Sequence, residues 1–150
     1  MRPQLILLLK LLAYTLVLNV LRYYPGGWLE MYTIMEPMHQ PMAMHPDAFG
    51  FTSSDLPASY FYNFMLWLAV VLIFHIAKNA LTGKMIIRSL KVFALCCLFF
   101  CSLAAVYMNH FNQDIRRFFM YSMLDAVLLF SFLGAINGLL YPLFFKSRTT

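Results

Sequence analysis

Four apolar runs, residues 5–23, 59–77, 86–108 and 118–144, take up more than half of the chain and leave it few ways to fold. Each is about long enough to cross the ~30 Å hydrocarbon core of a bilayer, which takes ~20 residues of helix. Backbone groups in lipid have no water to bond, so a run of this kind satisfies itself only as a helix. Composition agrees, since 62% of the 150 residues are hydrophobic and 11% are charged. A water-facing surface needs more than that; soluble domains carry about 25% charged residues. The expected fold is therefore all-α, an integral membrane four-helix bundle. It forms one four-span domain over residues 1–150, with a longer outer loop, residues 24–58, between the first and second helices.

Short breaking segments separate the runs. Pro25-Gly26-Gly27 is expected to end the first, because proline lacks a backbone donor and glycine weakens a helix. Asp55-Leu56-Pro57 precedes the second in the order of a helix start, an acceptor followed by an early proline. Lys78 to Lys84 and Asn109 to Arg117 supply the other breaks. Arg22, Tyr23 and Tyr24 follow Leu21 where a signal peptide would carry small residues, so the first run reads as a retained anchor.

The net charge of +5 does not point to nucleic acid, because the basic residues sit singly at the ends of apolar runs and form no basic face. They set orientation instead. With the N-terminus inside, Arg2, Lys10, Lys78, Lys84, Arg88, Lys91, Lys146 and Arg148 all fall inside. Arg22, Arg116 and Arg117 fall outside with Glu30, Glu36, Asp47, Asp55 and Asp114. The expectation is a multi-pass plasma-membrane protein of the bacterial inner-membrane kind, with N- and C-termini cytoplasmic. In its inside termini, long first outer loop and small size, this plan is similar to that of the four-helix immunity proteins that protect bacteria from pore-forming colicins. The resemblance lies in layout and carries no residue over.

The outer loop holds Met35-Glu-Pro-Met-His-Gln-Pro-Met-Ala-Met-His-Pro-Asp47. Thioethers are soft ligands for Cu(I), and imidazole adds Cu(II) or Zn, which makes Met35, Met38, His39, Met42, Met44 and His45 candidate copper ligands. The competing reading is a flexible apolar filler lying in the headgroup region with Trp28, Tyr32, Phe49 and Phe51. Met31, Met35, Met38 and Met42 would share one helical face, but Pro37, Pro41 and Pro46 push their preceding residues out of helical geometry. An irregular or kinked loop is expected, and no paired-ligand spacing favours structural zinc.

Asp125 lies well inside the fourth run, and an acid within a span marks a functional site by default. Asn19, Asn63 and His110 are its expected partners at similar depth, with Arg22, Arg116 and Arg117 nearby at the outer interface; the acid acts as a structural clamp or as a proton- or substrate-handling group. His75 and His110 fall at opposite ends of neighbouring helices and cannot share one haem. Cys96, Cys97 and Cys101 lie mid-span without a Cys-x-x-Cys pair; Cys97 and Cys101 join a small-residue stripe with Ala94 and Ala104 or Ala105. Gly134 and Gly138, with Asn137 beside them, form a G-x-x-x-G seam about 180° around the helix from Asp125. That second specialised face is expected to meet a partner helix.

The chain lacks H-E-x-x-H, G-x-S-x-G, a Walker loop and a dinucleotide fingerprint. No catalytic residue is assigned. The expected function is non-enzymatic: helix-to-helix association with another membrane protein, or with itself, as an accessory subunit or immunity-type protein. The alternative is copper handling or small-solute transport through the methionine–histidine loop and Asp125.

Overall fold

The last helix organises the molecule. The computed structural model describes residues 3–47 and 55–145. Its elements are α1 (Pro3–Leu21), a π-helical turn (Arg22–Gly26), α2 (Gly27–Thr33), α3 (Met35–Met44), α4 (Leu56–Ala77), α5 (Met85–Met108) and α6 (Gln113–Phe144). With 32 residues, α6 is about 48 Å long at 1.5 Å per residue, well over the ~30 Å of a hydrocarbon core. Its most extensive partner is α5, and α3, α1 and the π turn also pack along it. The fourth helix of the bundle, α4, rests on α1 and α5. Four segments, Pro3–Thr33, Leu56–Ala77, Met85–Met108 and Gln113–Phe144, are each long and apolar enough to cross a membrane. The protein is an all-α, multi-pass membrane four-helix bundle.

Its surface is as apolar as its core. Leu16, Ile76, Leu98 and Phe99 are exposed, which in lipid costs nothing. Inside, Trp67 of α4 stacks with Phe93 of α5 and meets Phe130 of α6. The α5–α6 crossing is closer than side chains permit. A Cβ on Gly138 would stand 2.4 Å from the Ile86 Cα, and one on Gly134 would stand 3.0 Å from the Phe93 Cβ. The two glycines are what lets these backbones meet.

Two expectations fail at the start of the chain. Pro25-Gly26-Gly27 does not end the first helix; residues 24–33 of the supposed outer loop continue it. Pro25 has no N–H to give its α-helical acceptor, and the turn widens to a π register around it, a known way for a helix to absorb a local misfit. Gly26 is buried there, and a Cβ on it would come within 3.3 Å of the Leu129 Cδ2 on α6. Residues 35–44 are also helical, against the expectation of an irregular loop. Pro37 sits in the first turn of α3, where its missing N–H has no intrahelical duty. Pro41 is buried in a helix packed along α6, so tertiary packing overrides a poor local propensity. At its start α6 also exceeds the sequence estimate, beginning at Gln113 with the Asn112 side chain accepting from the Ile115 N–H at 3.0 Å.

The α2–α3 side and the Asn109–Asn112 turn define one end of the bundle, called here the capped end. The other, the basic end, holds the Lys78–Lys84 turn. Gly83 closes that turn at a φ of 107°, a left-handed conformation that glycine adopts without strain. Arg88 ties it by donating to the Gly83 carbonyl at 2.8 Å and the Lys78 carbonyl at 3.1 Å.

Candidate functional site

Asp125 does not meet its expected partners. Asn63 donates to the Ser59 carbonyl within its own helix at 3.1 Å. His110 is exposed in the turn between α5 and α6, and the Asn19 Oδ1 is buried without a bond. The residues at Asp125 are Glu30, at side-chain hydrogen-bonding range, and Arg22, close enough to act on its charge. Arg22 grips Glu30 with both terminal nitrogens, Nη2 to Oε1 at 2.6 Å and Nη1 to Oε2 at 3.2 Å. The Glu30 side chain is 6% exposed and that of Arg22 is 16%.

The π turn makes this cluster. In an α-helix, residues eight apart stand about 80° from one another. One wide π turn followed by one α turn takes about eight residues, which brings Glu30 under Arg22. Ionised carboxylates only accept hydrogen bonds, so a bond between Glu30 and Asp125 requires one of them to carry a proton. Arg22 with one carboxylate and one carboxylic acid is neutral overall. It is the charge state a low-dielectric site favours. The bonding is nonetheless incomplete: Arg22 Nε and Asp125 Oδ1 are buried with no partner among ordinary donors and acceptors.

A second polar group lies deeper and was not anticipated. The Tyr14 hydroxyl of α1 donates to Asn137 Oδ1 at 2.8 Å. Asn137 Nδ2 donates to Ser89 Oγ of α5 at 2.8 Å, and Ser89 Oγ donates to the Gly134 carbonyl at 2.7 Å. Tyr14, Asn137 and Ser89 are all fully buried. The relay joins three helices and is uncharged. Near the basic end, the His75 Nδ1 and the Tyr141 hydroxyl are hydrogen-bonded. The Lys78 ammonium donates to the His75 carbonyl at 2.6 Å and lies 5.7 Å from the Tyr141 ring centroid. Burial there pulls Lys78 below the usual lysine range.

The glycine seam serves this relay. Gly134, Asn137 and Gly138 face α5 of the same chain, so the second specialised face of α6 meets no external helix. Both of its faces are used internally, one by α5 and one by Arg22 and Glu30. Cys97 is buried among the same core residues, and the Cys101 Sγ lies 3.8 Å from the Met123 carbonyl of α6. The helix that approaches their stripe is α6. All three cysteines are free thiols.

The copper candidates divide. Because α3 is helical, Met35, Met38, His39 and Met42 share one face, with Met38 Sδ 3.9 Å from the Ser122 Oγ of α6. Met44 lies around the other side, and His45 is held by Asp114 at 2.8 Å. Among the described residues, no three His, Cys, Asp or Glu side chains gather at one point.

Of these groups, Asp125 and the seam were legible as unusual residues in unusual places. Glu30 was not, since it read as an outer-side charge, and Arg22 was legible only as one of three arginines near Asp125 at the outer interface. The one signal of their pairing was spacing across a proline. Tyr14 and Ser89 were polar residues inside apolar runs, and that alone could have marked them.

Comparison with known proteins returns no match: no family model fits the chain, and neither a curated protein nor a solved structure matches it. The fold defines the class, a multi-pass helical membrane protein, and the reading of its function rests on its own geometry.

Proposed function

We propose that this is a non-enzymatic plasma-membrane protein, both termini cytoplasmic, that works by docking a transmembrane helix of another membrane protein, as an accessory subunit or immunity-type inhibitor. The observation that supports this reading is a lateral groove of about 740 Å³ between α4 and α5, floored by Phe130 of α6. Ala69 and Ser102 on its walls are small, and small residues let a helix backbone come close in lipid, where packing replaces the hydrophobic effect as the driving force. Exposed Leu98 and Phe99 offer that helix side chains to interlock with. Both polar clusters, by contrast, are turned inward and hold the chain's own helices.

A photo-crosslinking residue at Ser102 should trap a discrete protein partner from intact membranes, and the same residue at Leu139 should not. Ala69→Trp should abolish the adduct by filling the groove. Equal labelling from both positions, or adducts to lipid alone, would refute the proposal.

One observation favours a second reading. The α3 helix places Met35, Met38, His39 and Met42 on one face, which is the arrangement a Cu(I) site on this segment requires. Replacing these four together should then remove the protein's competition with a Cu(I) chelator; equal competition before and after rules copper out.

A further inference from the structure

At the capped end, α3 and the first three turns of α6 diverge around a cleft of about 780 Å³. Its upper rim carries Arg116 and Arg117. Because Met38 meets Ser122 and His45 meets Asp114, Met44 lies at the upper level, and Met120 and Leu124 of α6 lie lower down, at the level of Pro37 and Pro41 of α3. Met120 and Leu124 are each more than half exposed, so the cleft opens to its surroundings along an apolar floor.

Depth identifies those surroundings. The His75–Tyr141 contact lies two residues short of the end of α4, just before Lys78, and the hydrocarbon boundary at the basic end is set at that level. About 30 Å along α6 from Tyr141, near Tyr121, the core ends on the other side. Leu124 then lies just within the hydrocarbon and Met120 at its edge. Arg116 and Arg117 stand about 6–8 Å beyond it, within the headgroup layer. The cleft is thus cationic at headgroup level and apolar at acyl level.

Charge points the same way. Among the described residues Arg22 pairs with Glu30 and the His45 ring nitrogen bonds Asp114, so neither rim arginine has an acidic partner among them. Asp114, the acid inside the cleft, is already engaged by His45. Two arginines line this one cleft, and guanidinium groups bond the oxygens of a phosphodiester in paired, charge-assisted fashion.

We propose that this cleft binds one anionic glycerophospholipid, its phosphodiester held by Arg116 and Arg117 and an acyl chain lying over Met120 and Leu124 against α3. The site is separate from the α4–α5 groove and does not depend on a protein partner. A lipid seated here bridges α3 to α6 and holds the capped end closed.

The test is native mass spectrometry of the full chain released from phosphatidylcholine vesicles with and without phosphatidylglycerol. Wild type should retain one phosphatidylglycerol in preference to phosphatidylcholine. The Arg116→Ala, Arg117→Ala double variant should retain it at least about tenfold less, as expected for loss of paired charged contacts. Both arginines are exposed, so their removal leaves the fold intact. Met120→Glu, which puts a charge where the chain would lie, should lose it as well, and Lys91→Ala at the basic end should change nothing. Equal retention by the double variant, equal retention of phosphatidylcholine, or an equal loss in Lys91→Ala would overturn the proposal. So would complete displacement by inorganic phosphate, which would make the cleft a free-anion site.

Discussion

Two polar clusters brace this bundle, and they are built on opposite principles. In the relay of Tyr14, Asn137 and Ser89, every link is a neutral hydrogen bond of 2.7–2.8 Å and the final acceptor is a backbone carbonyl. In the cluster of Arg22, Glu30 and Asp125, charge is central, two buried atoms lack ordinary partners, and any bond between the two acids needs a proton on one of them. A complete neutral relay fixes three helices in register and has nothing left to give. A charged cluster with unfilled bonding capacity is tied to its own protonation, so it can respond to its surroundings. Structural duty falls to the first and any responsive behaviour to the second.

Breaking the charged pair should have the largest effect. Arg22→Met leaves Glu30 buried beside Asp125 with no cation, and breaking a buried pair typically costs about 3–5 kcal/mol. The lower end is expected, since Glu30 can take up a proton. Unfolding in detergent should show this loss, and adding Glu30→Met should recover most of it. If Arg22→Met is as stable as wild type, the contrast between the clusters collapses.

Next comes the spacing on which the relay depends. Gly138→Ala places a methyl group against the Ile86 backbone, and overpacking costs about 1–3 kcal/mol. It should also pull Ser89 away from Asn137, so the loss should shrink when Asn137→Leu is already present. Strict additivity of the two would show that seam and relay are independent.

Asn137→Leu alone should cost about 1–2 kcal/mol, in line with measured interhelical hydrogen bonds in membranes. That loss should not depend on pH, because the relay holds no group that titrates near neutrality. A pH-dependent loss of stability in this variant would assign it a charge-handling role.

The smallest effect is expected at the most conspicuous residue. Asp125→Asn supplies an amide donor beside Glu30, where the carboxyl group donates only when protonated, and should change stability by about 0.6 kcal/mol or less. Asp125→Leu, which supplies no donor, should cost more, up to about 1.7 kcal/mol. A well-folded Asp125→Asn protein that has lost function would place the proton itself at the centre of what the cluster does.

How far the sequence reached varied with the kind of information each feature required. The four helical runs were legible because lipid enforces internal hydrogen bonding, a constraint local to each segment. The Gly134–Gly138 seam was legible as a close-packing surface. Its partner was not, because a pattern of small residues says that a helix comes near without saying which one. The prolines misled at two points. Pro25 widened a helix and Pro41 was buried in one, since contact with α6 outweighed local cost in both.

The sequence by itself determined that this is an all-helical membrane chain, where its spans lie to within a turn or two at most ends, and that an acid sits inside one of them. Those properties follow from hydrophobicity and backbone bonding along short stretches. Only the tertiary structure decided that Glu30 and Arg22 answer that acid, that Tyr14 and Ser89 meet across Asn137, and that both faces of α6 are occupied by its own chain. Most of those contacts join residues that are neighbours only once the helices are packed, and the Arg22–Glu30 pairing turned on a single π turn around Pro25, a proline that by itself reads as the end of a helix.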